Sequence, residues 1–416
     1  MAVNATVKLY DEDAYATSFE GKVVAVSVVG KNKQDTVELE GRVQLDIVLD
    51  RTLFFPEEGG QNSDKGTITI DESTYKIVHV RLEQTTNGDV LHHITEAGEN
   101  AITPDELIGR TASGQIDWQD RFDKMQNHSG EHILSGVIHN QFGYDNVGFH
   151  LNNDVFTMDF NGTFTKEQIA EIEAAANRIV YENVSIDGKY YTKEELQAMV
   201  YRSKKDFDVA VRIVTVGDYD ACACCAPHVR STGEIGLIKI IKAESWKGGT
   251  RFTVLCGKRA YKDYVRKQQL LQSLSAQFST SEDKLADIID GMKKSLAKAE
   301  YELSLHQTEA LYMELVRCAE SNESNVTIVF TDIANAGAIR TAVDRAMTAQ
   351  PEHIFGVMSG DDTVGYRYLI GSRDIDVKGT MTERITALGG KGGGNQDMIQ
   401  GMLKATKEEI VHQMSK

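Results

Sequence analysis

Two short pairs of metal-binding side chains place the strongest restriction on how this chain can fold. His128 and His132 lie four residues apart in a stretch with helical periodicity, so both imidazoles project from one face of a helix. Cys224 and His228 form a second pair with the same spacing far downstream. Together they make a four-ligand set of the kind that zinc accepts, so a fold that uses them must bring the two segments together. The alternative is a helix that happens to expose two histidines, which the second pair argues against.

The stretch HSGEHILSG, which begins at His128, also fits the H-x-x-E-H pattern of inverted zinc peptidases. Such a peptidase would be expected to draw its third ligand from a downstream glutamate on a helix, not from a Cys-x3-His loop. The peptidase is therefore the second hypothesis, and Glu131 is expected to be a solvated helix residue, with a general base as the alternative. Four protein ligands would close a structural zinc site, whereas a catalytic site keeps one position open, and the sequence leaves both alternatives open.

Composition points to a globular chain with more than one domain. The 416 residues are 41% hydrophobic and 26% charged, with four prolines. Because no stretch has the ~20 apolar residues of a membrane span and the N-terminus lacks a secretion signal, we expect a cytoplasmic protein. Three of the five cysteines crowd into residues 222–225, which favours metal ligands or reduced thiols over a disulfide frame. The net charge of −17 argues against a chain coated in nucleic acid but permits a local basic track.

Hydrophobic periodicity predicts a multidomain α+β protein. Short β-rich runs separated by turn residues come first, and longer helical patterns follow, the first of them ending at Gly143. Thr165 and Thr192 are predicted to cap two further helices, the second with a capping box. The predicted domains are a small antiparallel β-barrel over residues 1–110, an α+β zinc domain over 111–257, a helical hairpin over 258–318 and an α/β domain over 319–416. The apolar stripe of the hairpin is expected to be buried either internally or against a second subunit.

These motifs carry a family resemblance. The two ligand pairs, the loop FFPEEGGQNSDKG and the strand VGFHL together resemble the editing domain of alanyl-tRNA synthetases, and above all the free-standing alanyl-tRNA editing proteins of the AlaX group. The C-terminal GGKGGGNQDMIQG is similar to the glycine-rich signature of the DHH-associated domain that ends those synthetases and the long form of AlaX. The resemblance runs in the same order along nearly the whole chain. Since no aminoacylation portion precedes it, the expected protein is an editor that acts in trans.

The resemblance implies a zinc-dependent hydrolase that cleaves the ester of tRNA(Ala) mischarged with serine or glycine, with one zinc ion per chain. The metal ligands carried over by position are His128, His132, Cys224 and His228. Zinc could hold the α-amino group of the amino acid, activate the attacking water or polarise the ester carbonyl. A zinc-stabilised tRNA-binding protein without catalytic activity is the third hypothesis.

Three further residues are candidates for the catalytic pocket. Thr52 and Gln61 flank the Pro-Gly turn, which by resemblance walls the amino-acid pocket and otherwise is a plain turn. The Thr52 hydroxyl could hydrogen-bond a serine side chain, although an ordinary strand threonine would look the same in sequence. His150, in the strand VGFHL, could face the pocket or be a satisfied strand histidine. The family commonly has Gly-Gly-Gly-Gln where this chain has Glu-Gly-Gly-Gln over residues 58–61, a departure beside the expected pocket.

The expected partner is charged tRNA, with neither DNA nor a membrane involved. Nine Lys and Arg against two acids lie between Lys239 and Lys267, a track that suits phosphate contacts. A solvated helix face is the alternative. By resemblance, the C-terminal glycine run would grip the outer corner of the tRNA. The candidate tRNA contacts are Arg251, Lys258, Arg259, Lys391, Gly392 and Gly393. The helical hairpin could supply a homodimer interface.

Overall fold

The computed structural model describes residues 4–29, 44–97, 104–203 and 210–414. Its two compact units are Met1–Leu270 and Leu271–Lys416. Among these described ranges, no helix is both long and apolar enough to cross a membrane. The predicted barrel region and the predicted α+β region, with their boundary at residue 110, both lie in the first unit.

The first unit opens with a closed antiparallel barrel of six strands, in the order β2-β3-β7-β6-β5-β8. The strands of this region are β1 (Val7–Lys8), β2 (Ser18–Val28), β3 (Leu45–Leu49), β4 (Arg51–Thr52), β5 (Gly66–Ile70), β6 (Ser73–Thr85), β7 (Gly88–Thr95) and β8 (Thr111–Ile116). The predicted barrel is confirmed. Its predicted end at residue 110 is too early, because β8 pairs with both β2 and β5 and so closes the barrel. Ala112, Gly114 and Ile116 of β8 are buried and alternate with exposed neighbours, as in a strand with one face on a core.

The rest of the first unit is the predicted α+β region. Its elements are α1 (Trp118–Phe142), β9 (Asn146–Leu151), β10 (Phe156–Phe160), α2 (Lys166–Glu182), β11 (Ile186–Tyr191), α3 (Lys193–Gln197), β12 (Val211–Val216), β13 (Asp220–Ala223), β14 (Ile238–Trp246) and β15 (Gly249–Cys256). Two sheets form, β14-β15-β10-β9 and β11-β12-β13. The predicted helix signals are confirmed: Gly143 ends α1 with φ 69°, and Thr165 and Thr192 both form capping boxes.

Two buried cations of α1 fasten this helix to the barrel. Arg121 is fully buried, and its Nε donates to the carboxylate of Asp64 at 3.0 and 2.9 Å. Its Nη2 donates to the Leu53 carbonyl at 2.5 Å. Lys124 donates from Nζ to the Ser63 carbonyl at 2.6 Å. Since Asp64 and Ser63 directly follow the Pro-Gly turn, these contacts hold that turn beside the helix that carries the two histidines.

The two helices predicted for the hairpin are present as α4 (Gly257–Gln277) and α5 (Leu285–Glu320). Their predicted apolar stripe is largely exposed: Leu270 is 58% exposed, Met292 54% and Leu296 61%. A single copy of the chain therefore leaves most of this stripe exposed, and the expectation of internal burial is wrong. The second expectation, burial against another subunit, stays a prediction.

The second unit contains the predicted C-terminal domain, built on a five-stranded sheet in the order β16-β17-β18-β20-β19. Its elements after α5 are β16 (Val326–Thr331), α6 (Ala336–Ala349), β17 (Ile354–Asp361), β18 (Gly365–Gly371), α7 (Val377–Ala387), β19 (Lys391–Gly394), β20 (Met398–Leu403) and α8 (Lys407–Met414). The β16–β17 pair is parallel, and the other pairs are antiparallel. The glycine-rich β19 is exposed at every residue, so its backbone lies open at the sheet edge.

Candidate metal centre

The fold brings the two predicted ligand pairs together. α1 presents His128 and His132, and the loop that follows β13 presents Cys224 and His228. One ligand atom from each of the four residues lies within 4.8 Å of all the others. The Cys224 sulfur is 3.6 Å from Nε2 of His128 and 3.4 Å from Nε2 of His228. Three imidazoles and one thiol that converge in this way form a donor set suited to zinc.

Each of the three histidines is oriented by a different side chain at its Nδ1 nitrogen. The amide oxygen of Gln61 lies 2.8 Å from Nδ1 of His128, and the Ser129 hydroxyl lies 3.0 Å from Nδ1 of His228. The Asp220 carboxylate lies 3.0 Å from Nδ1 of His132. The Gln61 and Asp220 oxygens can only accept, so they place the proton on Nδ1 of His128 and His132 and leave Nε2 for a metal ion. The Ser129 hydroxyl can accept from Nδ1 of His228 in the same way. The site therefore has the outer contacts that metal-binding histidines require.

The carboxylate behind His132 is itself held. Arg202 donates from Nε to Oδ1 of Asp220 at 2.6 Å and from Nη2 to Oδ2 at 2.8 Å. Burial by itself would raise the pKa of Asp220, but the hydrogen bonds from Arg202 and His132 hold it below its usual value. Asp220 is therefore an anion at neutral pH, and it fixes the orientation of the His132 ring.

Burial sets the protonation of the ligands before any ion binds. It lowers the pKa of His228 well below its usual value, and the neighbouring His132 and His128 lower it further. Burial likewise raises the pKa of the Cys224 thiol well above its usual value. A cation bound here would reverse the preference of the thiol, because a coordinating sulfur is deprotonated. Metal uptake should therefore release a proton from Cys224.

The Pro-Gly turn is a tight turn that also forms part of the centre. Gly59 and Gly60 have positive φ angles of 63° and 85°, as the glycines predicted. A Cβ atom on Gly60 would lie 2.4 Å from the Phe149 carbonyl oxygen, so the turn approaches β9 more closely than a side chain permits. The turn delivers Gln61, which is fully buried, to His128. The Gln61 Nε2 has no hydrogen-bond partner among the described residues.

Thr52, on β4, is fully buried against the barrel strand β7, and its hydroxyl is already engaged. Nδ1 of His93 lies 2.9 Å from the Ile47 carbonyl and so carries the proton. The Thr52 hydroxyl then donates to Nε2 of His93 at 2.9 Å, and it accepts from the Phe54 amide at 3.1 Å. One lone pair is left. Thr52 could therefore accept a hydrogen bond from a serine hydroxyl but could not donate one in this arrangement.

The burial pattern favours the strand alternative for His150, and it contradicts the expectation that Glu131 is solvated. His150 is exposed on β9, whereas its neighbour Phe149 is buried, with its ring 4.8 Å from that of His128. Because successive strand side chains point to opposite faces, His150 points away from the metal centre. Glu131 is buried rather than solvated: its Oε1 accepts from Ser135 and Asn146, both at 2.6 Å.

Most of the basic side chains in the predicted track have partners within this chain, some on other elements and some inside the track itself. Arg259 is only 8% exposed and is paired with Asp123 at 2.7 Å. Arg251 is paired with Asp159 at 2.6 Å, and Lys258 contacts Gln119. Other track residues are paired as Lys239–Glu173, Lys242–Glu244, Arg266–Asp263 and Lys267–Asp263. The second candidate contact region, Lys391, Gly392 and Gly393, lies on the exposed strand β19.

Sequence reasoning missed the residues that orient the ligands, apart from Gln61. Ser129 directly follows a ligand, and Asp220 stands just before the cysteine cluster, so their positions gave a weak signal. Nothing in the sequence marks Arg202, which lies far from every ligand along the chain.

Known protein families match three successive parts of this chain. Residues 1–119 match the class II (A) tRNA synthetases, 211–252 the second additional domain of threonyl and alanyl tRNA synthetases, and 323–416 the DHHA1 domain. The alanyl-tRNA editing protein AlaX-L of Pyrococcus horikoshii is 27% identical, and the alignment covers 97% of this chain and 96% of that protein. The chain resembles the alanyl-tRNA editing proteins. The predicted resemblance is thus confirmed, with Cys224 and His228 inside a matched domain and His128 and His132 between two matches.

Alanine–tRNA ligases are similar over only part of their own length. That of Ignicoccus hospitalis is 25% identical over 99% of this chain but 42% of the ligase. That of Methanobrevibacter smithii is 29% identical over 68% of this chain and 30% of the ligase. The chain thus spans less than half the length of these ligases, whereas its match to AlaX-L is nearly end to end.

Proposed function

We propose that this chain hydrolyses the ester bond of mischarged tRNA(Ala), with serine or glycine as the amino acid, at the centre formed by His128, His132, Cys224 and His228. The observation that carries the proposal is the convergence of these four side chains in a chain that is similar to AlaX-L from end to end. The three oriented Nε2 atoms and the Cys224 sulfur are the atoms that would hold one zinc ion. Bound there, zinc would supply positive charge near the ester or a water molecule.

Gln61 is the best-placed donor for the substrate. Its side chain is fully buried, its oxygen is committed to His128, and its Nε2 lacks a described partner. A buried amide donor without a partner is costly in the free protein, so a substrate oxygen would be a favourable acceptor. We assign this donor to the ester carbonyl of the aminoacyl group. The remaining lone pair of Thr52 would accept the hydroxyl of a seryl group, which glycine lacks.

The tRNA would contact the exposed glycine strand β19 and Lys391. Open backbone and a nearby cation suit a phosphate chain. The apolar residues on α4 and α5 would pair two copies of the chain, and we expect the protein to act in the cytoplasm.

The test is deacylation of Ser-tRNA(Ala), Gly-tRNA(Ala) and Ala-tRNA(Ala) by the wild type and Cys224→Ala, with the zinc content of each measured. Rapid loss of serine or glycine, slow loss of alanine and an inactive variant with less zinc are expected. Wild-type protein that contains zinc and leaves all three esters intact would contradict the proposal.

A second candidate is a zinc-stabilised tRNA-binding protein. The four-ligand set favours it, because structural zinc sites are usually closed by four protein ligands. It predicts tRNA binding without deacylation in the same experiment. The peptidase hypothesis lacks comparable support, because the second ligand pair is Cys-x3-His and the end-to-end similarity is to AlaX-L. Glu131 does lie near the centre, with its Oε2 3.8 Å from Nε2 of His132.

A further inference from the structure

Arg202 stands out because it holds the strand β13 by both its side chain and its backbone without being a ligand. Its side chain reaches Asp220, whose carboxylate orients His132 on α1. Its backbone pairs with β13, the strand that runs directly into Cys224. The Arg202 amide donates to the Ala221 carbonyl at 2.7 Å, and the Ala223 amide donates to the Arg202 carbonyl at 3.0 Å. One residue thus fixes both a ligand's orienting group and the entry to the ligand loop.

The contacts that run from Arg202 through Asp220 to His132 are short, and they are largely shielded from water. The side chains of His132 and Asp220 are each 2% exposed, and that of Arg202 is 18% exposed. Both Asp220 oxygens accept from Arg202, so the carboxylate cannot turn about its own axis without losing a charged hydrogen bond. Its Oδ2 is thereby held at the position that His132 requires. A fork of this kind has no equivalent in a lysine, which offers one point of charge.

We propose that Arg202 is a positioning residue that sets the zinc affinity of the centre through Asp220 and His132. This inference rests on the metal site of the proposed function and not on its substrate. Removing a group that contacts a ligating histidine, as Asp220 contacts His132, typically weakens metal binding by about 10–100-fold although every ligand is still present. Without Arg202 neither oxygen of Asp220 keeps its charged hydrogen bond, so the carboxylate is free to turn away from His132. Loss of Arg202 should weaken zinc binding by a factor in this range.

The experiment measures zinc affinity by competition with a chromophoric chelator for the wild type, Arg202→Met and Arg202→Lys. Arg251→Met is the matched control, because Arg251 makes the same two-bond contact with Asp159, at 2.6 Å for each bond, and neither residue touches a ligand. Arg202→Met should bind zinc about 10–100-fold more weakly, Arg202→Lys should recover part of the loss, and Arg251→Met should match the wild type.

A role limited to general stability would give a different pattern. It would lower the melting temperature of the zinc-free protein in both Met variants, and Arg202→Met and Arg251→Met would then have the same zinc affinity. Should Arg202→Met fail to fold, Asp220→Asn takes its place, with Asp159→Asn as its control. Equal zinc affinity for the variant and its control overturns the inference. Wild-type protein that binds no zinc overturns the metal site together with the inference, whereas tight zinc binding without deacylation removes only the editing function.

Discussion

Acidification should destabilise the barrel through His93. This side chain is completely buried, and its two ring nitrogens contact the Ile47 carbonyl and the Thr52 hydroxyl, both at 2.9 Å. Burial lowers the pKa of His93 to about 4. In the unfolded chain a histidine has a pKa of about 6.5. Between these two values the unfolded chain binds a proton that the folded chain does not.

The sign and size follow from that difference. Where the unfolded state holds more protons, the free energy of unfolding rises with pH, by about 1.4 kcal/mol per pH unit for one group. The stabilisation from a neutral His93 is therefore complete above about pH 6.5 and is lost as pH falls to about 4. The total is about 3 kcal/mol, a large part of the stability of an ordinary domain.

The measurement compares the wild type with His93→Gln, which cannot titrate. Hydrogen exchange of the β3 and β7 amides follows the barrel locally, at several pH values between 7.5 and 5. A chelator is present throughout, so that the empty metal centre titrates identically in both proteins. The wild-type barrel should lose stability more steeply on acidification than the variant. Parallel pH dependences in the two proteins would refute the buried, neutral state assigned to His93.

Three further changes test other parts of the structure. Gly60→Ala should reduce the melting temperature markedly, because its Cβ would lie 2.4 Å from the Phe149 carbonyl oxygen. Gly59→Ala is the control: the nearest atom to its Cβ would be 3.7 Å away, so the cost should be about 1 kcal/mol. Equal losses in the two variants would contradict the close approach. Gln61→Ala should weaken zinc binding by about 10–100-fold in a chelator competition, and unchanged affinity would count against its orienting role. Arg259→Ala should lower stability by about 1–3 kcal/mol in urea unfolding, because the partly exposed Asp123 loses a charged hydrogen bond. Its tRNA affinity should show an unaltered salt dependence, and a shallower one would mean that Arg259 contacts phosphate.

Local patterns in the sequence were sufficient for much of the architecture. The four-residue spacing of His128 and His132 already requires one helix face, and Thr165 and Gly143 mark helix ends through contacts made within a few residues. The alternating strands of the barrel could be recognised for the same reason. The alternation of side chains along β9 also predicts the position of His150, because His150 lies on the strand face opposite to the buried Phe149.

What only the tertiary structure decided is the set of partners of each polar side chain. Gln61, Ser129 and Asp220 each orient one histidine, and Arg202 fixes Asp220, although nothing near them in sequence specifies these pairings. The basic track likewise meets acids such as Asp159, which lies on another strand. A hydrogen bond or ion pair acts over about 3 Å in space and is indifferent to separation along the chain. The sequence by itself therefore determined which atoms could bind a metal ion, and the fold decided which neighbours hold them in place.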